Sequence, residues 1–350
     1  MNSRIKKLVS GFRKVQVDAL LITHNPNIHY LTKFPASESY LLVTKKQAYY
    51  VTDFRYILEA KKGLKGIPVV QYTQSPFQTV LELATKDRVK NLGFDDQYIT
   101  LAQFRNLKKL CPKKIHLKTI HNLVEDLREV KDKSEMACIE KALEIHHKAL
   151  KYLKTIIKPG VTERQVFLKL ENFVKSRGVG FSFDPIVASG PNSCLPHASI
   201  TDRKIKNNEP VLVDMGIDVD SYKSDLTRMF FLGKISALVQ DVNNSVREAQ
   251  HVAIKEIRAG VRIDYIDSLA RNLLAQKQLA KYFGHALGHG VGLEIHENPR
   301  LSQKNSSLLR EGMVITIEPA VYLPDKFGIR IEDMILVTKK GYKILSDNID

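Results

Sequence analysis

The chain has 350 residues, with 54 Lys and Arg against 38 Asp and Glu and a formal net charge of +16. This length exceeds one average domain, so we expect two domains and a core large enough to support a precise active site. No stretch approaches the roughly 18 apolar residues of a membrane span, and the charged start lacks the apolar centre of a secretory signal, so we expect a cytoplasmic protein with no membrane partner.

The distribution of the cysteines argues against a cysteine-based site, and the distribution of the positive charge argues against a nucleic-acid-binding site. The three cysteines are far apart in the sequence, which predicts neither a disulfide framework nor a thiolate zinc site. The positive residues occur as dispersed pairs, such as Lys6-Lys7, Lys61-Lys62 and Lys113-Lys114, and not as one tract with interleaved aromatic residues. Dispersed pairs are typical of a solvated surface, so we do not expect a nucleic-acid partner.

The first third of the chain alternates short apolar runs with charged helical patterns. The runs are residues 19–22, 40–43, 48–51 and 69–70, and the alternation indicates a small α/β domain. The segment 126–134, DLREVKDKS, is highly charged and has no apolar rhythm, which is typical of a domain junction. We therefore predict one domain over residues 1–125 and a second over residues 126–350.

The second domain is predicted to begin with two helices. Apolar residues recur at helical spacing from Ser134 to Ile157, and the dipeptide Pro159-Gly160 ends this pattern. Thr162 and Gln165 then form a capping box for a helix that ends near Gly178. His146 and His147 on the first helix are interpreted as residues of its polar face.

Two apolar runs carry the first pair of acids. Residues 209–216 form a strand-like run that contains Asp214, and residues 225–231 begin on Asp225. If the runs pair as a hairpin that turns at Val219-Asp220, the two carboxylates face each other on one side of the sheet. Like charges in that arrangement are destabilising unless a cation lies between them.

A similar pattern returns about a hundred residues later in the sequence. Residues 314–320 end near Glu318, residues 328–334 contain Glu332, and a turn at residues 324–327 makes these two acids cross-strand neighbours. Two hairpins that each present two acids predict a pseudo-symmetric sheet on which four carboxylates converge.

A segment rich in glycine and histidine lies between the hairpins, at residues 283–297, and contains His285, His289 and His296. Four carboxylates and one imidazole suit a pair of divalent ions in a two-metal hydrolase. Burying the acids without such partners would be costly, which favours metal binding over a purely structural role.

Several motifs together resemble one family. VDMGIDVDSYKSDLTR, GHALGHGVGLEIHE, IEPAVYLP and GIRIED resemble the creatinase and aminopeptidase superfamily, above all its proline-specific branch of Xaa-Pro aminopeptidases (aminopeptidase P) and Xaa-Pro dipeptidases (prolidases). NPNIHYLTKF near the start resembles the N-terminal domain of that branch. The resemblance implies an α/β (α+β) chain, with a small creatinase-like α/β domain followed by a pita-bread catalytic domain that has a pseudo-twofold antiparallel sheet.

The resemblance also implies roles for individual residues. Two divalent metal ions are expected, Mn²⁺ with Co²⁺ or Zn²⁺ as alternatives, and their implied ligands are Asp214, Asp225, His289, Glu318 and Glu332. The implied catalytic and substrate-contacting residues are Glu318, His296, His197, His285 and Arg330, with the Tyr322 hydroxyl outside the ligands.

The implied reaction is hydrolysis of an Xaa-Pro bond by a hydroxide that bridges the two metals. The implied substrate is a peptide with proline at its second position, and the implied enzyme is a homodimer. Glu318 would take the proton of the attacking water, and His296 would stabilise the oxyanion.

Three positions depart from the family pattern, and three other functions stay open. Ala320 and Ser221 stand where the family usually has glycine, and Cys194 stands where a small apolar residue is usual. The alternatives are a methionine-aminopeptidase-like hydrolase, a creatinase-like hydrolase, and a non-catalytic pita-bread protein that binds nucleic acid or protein. The large N-terminal domain and the SCLPHAS loop favour the proline-specific branch, without deciding between dipeptides and longer peptides.

Overall fold

A computed structural model describes residues 1–346, and the chain divides into two compact units. The first unit is Met1–Arg128, and the second begins at Glu129. This division lies inside the charged segment at which the sequence predicts a domain junction. Within residues 1–346, no helix is long and apolar enough to cross a membrane.

The first unit alternates helices with short strands, as its apolar runs predict. Its helices are α1 (Ser3–Val15), α2 (Asn25–Thr32), α3 (Ile57–Gly63), α4 (Pro76–Lys86), α5 (Leu101–Leu110) and α6 (Glu125–Arg128). Its strands are β1 (Ala19–Ile22), β2 (Ser39–Thr44), β3 (Ala48–Thr52), β4 (Val69–Gln71), β5 (Asn91–Asp95) and β6 (His116–Ile120).

These strands form one sheet in the order β4-β3-β2-β1-β5-β6. Strand β2 is antiparallel to both of its neighbours, and the other five strands run parallel to one another. Every residue of β1 and β3 is buried, because helices cover both faces of the sheet. On one face, Leu21, Val51 and Leu92 pack with Phe77 of α4 and Leu107 of α5.

The second unit contains two pairs of long helices and a set of short strands. Its helices are α7 (Lys133–Ile156), α8 (Glu163–Lys175), α9 (Ala237–Lys255) and α10 (Ile263–Gln276), with 3-10 turns at Gly190–Cys194 and Ala280–Tyr282. Its strands are β7 (Gly180–Phe181), β8 (Ile186–Ser189), β9 (Pro210–Met215), β10 (Ile217–Val219), β11 (Tyr222–Lys223), β12 (Leu226–Phe231), β13 (Gly288–Gly290), β14 (Glu297–Leu301), β15 (Val314–Ile317), β16 (Ala320–Leu323), β17 (Phe327–Arg330), β18 (Asp333–Val337) and β19 (Tyr342–Ile344).

Helices α7 and α8 begin as their sequences predict. The Asp132 side chain caps α7 together with Glu135, and Thr162 and Gln165 form the predicted capping box of α8. The interpretation of His146 as a polar-face residue is wrong: its side chain is fully buried, and its Nδ1 lies 3.0 Å from the Ser224 hydroxyl. His146 lies on the apolar face of α7, because it is seven residues from Ile139 in the sequence.

The second unit is built from two similar halves. In each half a pair of helices is followed by antiparallel strands, and a glycine in the left-handed region precedes the second helix. These glycines are Gly160 and Gly260, with φ of 89° and 88°. An isolated bridge also joins the N-terminus of each second helix to a later segment, Thr162 to Lys204 and Arg262 to Leu308. The halves agree with the pseudo-symmetry that the repeated acidic hairpins predict.

The first acidic hairpin has a different register from the predicted one. Asp214 pairs with Thr227, and Val219 pairs with Tyr222, so the turn lies at Asp220-Ser221 and Asp214 does not face Asp225 directly. Both turn residues have positive φ, 53° and 68°, as a tight two-residue hairpin loop requires, and a β-branched residue such as Val219 is disfavoured there. The shift by two residues leaves both acids on the same face of the sheet.

The second acidic hairpin has the predicted register. Ala320 pairs with Arg330 on one side and Ile317 pairs with Asp333 on the other, and this common register puts Glu318 opposite Glu332. Both acids lie in the gap between the two ladders. Proline at position 319 has no N–H to donate, which accounts for the interruption after Ile317.

Candidate metal centre

The predicted ligands lie at the ends of strands in the second unit. Asp214 is near the end of β9, Asp225 directly precedes β12, Glu318 follows β15 and Glu332 follows β17. His289 is the central residue of β13. Residues at strand ends escape the full set of ladder hydrogen bonds while rigid strands still hold their backbones.

Glycine allows the strand with His289 to lie close to its neighbour. A Cβ on Gly288 would meet the Thr316 carbonyl oxygen at 1.9 Å, a distance at which backbone must move. The His289 amide also donates to the Thr316 hydroxyl at 3.1 Å. The glycine therefore lets β13 approach β15 and sets the depth at which the His289 ring enters the site.

Four of the predicted ligands converge on a small volume. One ligand atom from each of Asp225, His289 and Glu332 lies within 4.8 Å of the others, and all three residues are buried. His289 Nε2 is 3.5 Å from Asp225 Oδ2 and 3.6 Å from Glu318 Oε1. Two carboxylates thus face the same ring nitrogen, and donor atoms at these separations could each bind one cation that lies among them.

The hydrogen bonds of His289 determine which nitrogen is free. Its Nδ1 lies 3.1 Å from the Gly290 carbonyl oxygen, an acceptor, so Nδ1 carries the proton and donates. Burial lowers the pKa of His289 to about 4, so the ring is neutral near pH 7. The lone pair of Nε2 therefore points at the carboxylates, which is the tautomer that a metal ligand needs.

Without a cation, the ionised forms of the clustered carboxyl groups are unfavourable, and their pKa values are raised. Burial and, after it, the charge of Asp214 raise the pKa of Glu332 to about 8. Burial also raises the pKa of Asp225 and of Glu318 well above the usual value, and in both cases the Glu332 charge acts in the same direction. A divalent cation would reverse this balance, because it stabilises the ionised form of every acid around it.

The fifth predicted ligand, Asp214, is held by an arginine. Arg330 Nη2 donates to Asp214 Oδ2 at 2.5 Å, and both side chains are buried. The other oxygen, Oδ1, is buried and has no hydrogen-bond partner among residues 1–346. A buried carboxylate oxygen without a partner is costly, so Oδ1 is a candidate donor to a metal.

The same arginine connects the ligands to three other groups. Arg330 Nε donates to the Thr227 hydroxyl at 3.0 Å, and Nη1 donates to the Tyr322 hydroxyl at 2.5 Å and to the Pro196 carbonyl at 3.2 Å. Thr227 in turn donates to Glu332 Oε2 at 2.8 Å. One guanidinium and one hydroxyl therefore hold carboxylates from both hairpins in place.

The predicted His285 and Tyr322 form a chain that ends at this arginine. His285 Nδ1 donates to the Ala286 carbonyl at 2.8 Å, and Nε2 lies 3.2 Å from the Tyr322 hydroxyl. Burial lowers the pKa of His285 to about 4, so Nε2 accepts the Tyr322 proton. Tyr322 thus donates to His285 and accepts from Arg330, and burial raises the pKa of its hydroxyl to about 12.

The remaining predicted histidines lie at the exposed side of the centre. The His296 and His289 ring centroids are 4.3 Å apart with nearly perpendicular planes, at 79°. Burial and then the charge of His197 lower the pKa of His296. His197 is exposed and follows the Pro196 carbonyl that Arg330 binds. Both histidines are accessible to a ligand that reaches the metal centre from solvent.

Two residues of the centre are absent from the sequence-based prediction. Thr227 lies two residues after Asp225, on the same face of its strand, and this spacing could have identified it. His146 contacts Ser224, the residue before Asp225, and the Ser224 hydroxyl accepts a hydrogen bond from the Ile217 amide at 3.0 Å. The regular helical spacing of His146 from Ile139 was the available signal.

Comparison with known proteins gives consistent matches to one family. Residues 137–339 match metallopeptidase family M24, and residues 4–130 match the creatinase/prolidase N-terminal domain. The chain is 38% identical to a Xaa-Pro dipeptidase of Pyrococcus horikoshii, over 99% of this chain and 97% of that protein.

Solved structures give the same result. A Xaa-Pro dipeptidase from Bacillus anthracis superposes with a TM-score of 0.94 at 34% identity, covering 99% of this chain and 97% of that chain. An X-Pro aminopeptidase from Thermotoga maritima superposes with a TM-score of 0.88 at 32% identity, covering 96% of this chain and 97% of that chain. These matches confirm the predicted fold class, a creatinase-like domain followed by a pita-bread domain.

Proposed function

The chain belongs to metallopeptidase family M24, and we propose that it is a two-metal peptidase that hydrolyses the bond between an N-terminal residue and a following proline. The observation that carries this proposal is the convergence of Asp225, Glu318 and Glu332 on the unprotonated Nε2 of His289, with an unpartnered oxygen of Asp214 nearby in the same network. Relatives described as Xaa-Pro dipeptidases and as an X-Pro aminopeptidase support the substrate class.

The donor set fits two hard or borderline divalent ions. Asp214, Asp225, His289, Glu318 and Glu332 would hold them, and Mn²⁺ is the ion that we propose, since carboxylate oxygens outnumber the single imidazole. When bound, the ions would supply a water acidic enough to attack a carbonyl near neutral pH. No side-chain nucleophile is then required.

Glu318 is the acid that we assign to proton transfer. Its side chain is 16% exposed, against 6% for Asp225, so it reaches further toward the solvent side of the centre. The carboxylate would take a proton from the attacking water and return it to the departing proline nitrogen. An amide nitrogen leaves as a neutral amine only after it gains a proton, so delivery of a proton is essential for release of the proline.

His296 and His197 are assigned to the substrate. Both side chains are exposed, and the charge of His197 lowers the pKa of His296, which indicates that the two side chains lie near each other. A histidine beside His289 is suitably located to donate a hydrogen bond to the carbonyl oxygen as charge develops on it. Arg330 holds the Asp214 carboxylate, and His285 and Tyr322 in turn hold Arg330 through the Tyr322 hydroxyl.

The test compares three peptides with the purified chain. We expect cleavage of Ala-Pro or Ala-Pro-Ala in the presence of Mn²⁺, no cleavage of Met-Ala-Ala, and loss of activity on chelation that Mn²⁺ restores. The ratio of the two proline substrates distinguishes a dipeptidase from an aminopeptidase. Full activity after removal of all metal, or cleavage of Met-Ala-Ala alone, would contradict the proposal.

A further inference from the structure

The positive charge of this protein is concentrated in the first unit. Residues 1–128 contain 22 Lys and Arg against 10 Asp and Glu, which is a net +12 of the +16 for the whole chain. The metal centre lies entirely in the second unit and does not account for this charge.

The topology of the sheet collects this charge at one edge. Strands β1, β3, β4, β5 and β6 are parallel, so all five begin at the same edge, and antiparallel β2 ends there. Basic residues precede each of these strand starts. We call this surface the basic edge, and its members are Arg13, Lys14, Lys45, Lys46, Lys61, Lys62, Lys65, Lys86, Arg88, Lys90, Lys108, Lys109, Lys113 and Lys114.

The charge at the basic edge is exposed and almost unopposed. All fourteen members are exposed, and within residues 1–346 Lys45, which pairs with Asp18 at 2.6 Å, is the only one of them in an ion pair. The connecting segments at this edge contain two acids, Asp18 and Asp87, and Asp87 accepts hydrogen bonds from Thr44 and Tyr49. Four acids of the first unit lie instead at the opposite edge, where β2 begins and β3 and β5 end: Glu38, Asp53, Asp95 and Asp96.

Helix stability explains only half of this pattern. Seven members lie in the last turns of α1, α3, α4 and α5, where a cation stabilises the helix C-terminus. The other seven lie in turns and just before strands, where no helix dipole favours them. These include Lys113 and Lys114 in the α5–β6 connection and Lys45 and Lys46 in the β2–β3 turn.

The composition of the surface indicates what it binds. Exposed large apolar residues of the first unit include Phe54, Leu58 and Leu101, and these follow β3 and β5 at the opposite edge. The basic edge therefore has no apolar anchor for a bilayer and no aromatic platform for unpaired bases. Across the six strands the basic edge is about 24 Å long, at about 4.8 Å between neighbouring strands. A nucleic-acid duplex carries one phosphate charge per about 1.7 Å of its axis, so a duplex along this edge would present many phosphates to the basic residues.

We infer that the basic edge binds the phosphate backbone of double-stranded nucleic acid without reading its sequence. The sequence-based expectation of no nucleic-acid partner rests on lysine pairs that are dispersed along the chain, whereas the sheet topology brings two of the three pairs, Lys61-Lys62 and Lys113-Lys114, to one surface. The activity of the metal centre is independent of this inference.

The experiment measures fluorescence anisotropy of a labelled DNA duplex of about 20 base pairs, and of the matching RNA duplex, with the full chain between about 50 and 200 mM salt. The test variant is Lys108→Gln, Lys109→Gln, Lys113→Gln and Lys114→Gln combined. The control variant changes net charge equally, through Lys6→Gln, Lys7→Gln, Lys339→Gln and Lys340→Gln, at exposed positions outside the basic edge.

We expect the native chain to bind both duplexes with a strong salt dependence. The test variant should bind about tenfold more weakly or worse, with a slope of log K against log salt reduced by up to about 3.6, while the control stays within about twofold of the native chain. Thermal unfolding of both variants checks that they fold. Equal losses in test and control, absence of duplex binding at low salt, or binding to phosphatidylserine vesicles but not to duplexes would each overturn the inference.

Discussion

The Thr227 hydroxyl is the group through which the two hairpins of the metal centre can be tested without touching a ligand. It donates to Glu332 Oε2 at 2.8 Å and accepts from Arg330 Nε at 3.0 Å, and the residue is fully buried. Thr227→Val replaces the hydroxyl with a methyl group of similar size, so the main change is the loss of two hydrogen bonds.

The expected size of the effect follows from the partners. When Mn²⁺ keeps Glu332 ionised, each bond involves a charged group and contributes about 1.5–3 kcal/mol, so the free energy of unfolding of the Mn²⁺-loaded protein should fall by about 2–4 kcal/mol after partial relaxation. Glu332 and the Asp214 partner Arg330 also lose a fixed orientation, and loss of such an outer contact weakens metal binding by about 10- to 100-fold. The reduced metal affinity is the result that distinguishes the two roles, because a Thr227 hydroxyl that only stabilised the fold would not change metal binding.

The assay is calorimetric titration of Mn²⁺ into chelator-stripped protein, combined with thermal unfolding. Thr227→Ser is the matched control: it keeps the hydroxyl and removes only a methyl group, so its Mn²⁺ affinity should remain within about threefold of the native value. If Thr227→Val is destabilised but binds Mn²⁺ as tightly as Thr227→Ser, the hydroxyl does not position the ligands and the reasoning is refuted.

The remaining predictions concern pH, packing and the buried histidine. Burial raises the pKa of Glu332 from 4.5 to about 8, so its stabilising contribution to the metal-free protein is complete below about pH 4.5 and is lost as pH rises toward about 8. Tm of chelated protein should therefore fall across this interval, and Glu332→Gln or added Mn²⁺ should reduce the fall. Gly288→Ala should weaken Mn²⁺ binding at least about tenfold, because the Thr316 carbonyl oxygen lies 1.9 Å from the position of the new Cβ. The control Gly284→Ala, whose Cβ meets nothing within 4 Å, should bind Mn²⁺ as the native chain does. Equal affinities of the two variants would contradict the packing argument. His146→Leu should lower the free energy of unfolding by about 1–3 kcal/mol, because the Ser224 hydroxyl loses the imidazole and keeps only its bonds to Ile217. An unchanged denaturation midpoint would show that the His146 contact contributes nothing.

The periodicity of the sequence was sufficient to identify the two helices and the faces of the strands. Capping boxes, apolar spacing and the alternation of strand residues are local properties, so the start of α8 and the shared face of each acid pair follow from neighbouring residues. The predicted register of the first hairpin is wrong because the register depends on which two residues can adopt positive φ at the turn. That preference is a weaker signal than the face pattern, and the predicted turn begins one residue too early.

The chemistry of the centre depended on contacts that no local pattern contains. The bonds from Arg330 to Thr227 and to Asp214, and from Thr227 to Glu332, join residues about a hundred positions apart. The unpartnered oxygen of Asp214 is likewise a result of packing between distant segments. Family resemblance named Arg330 and Tyr322, but only the packed structure shows which atoms they hold.

By itself, the sequence determined which side chains can supply ligands, because the two-residue period of a strand puts every second residue on one face. The tertiary structure alone decided which of those atoms meet, and it also gathered dispersed lysines onto one edge of the first unit. Strand direction and the packing between distant segments set both outcomes, and neither is a property of consecutive residues.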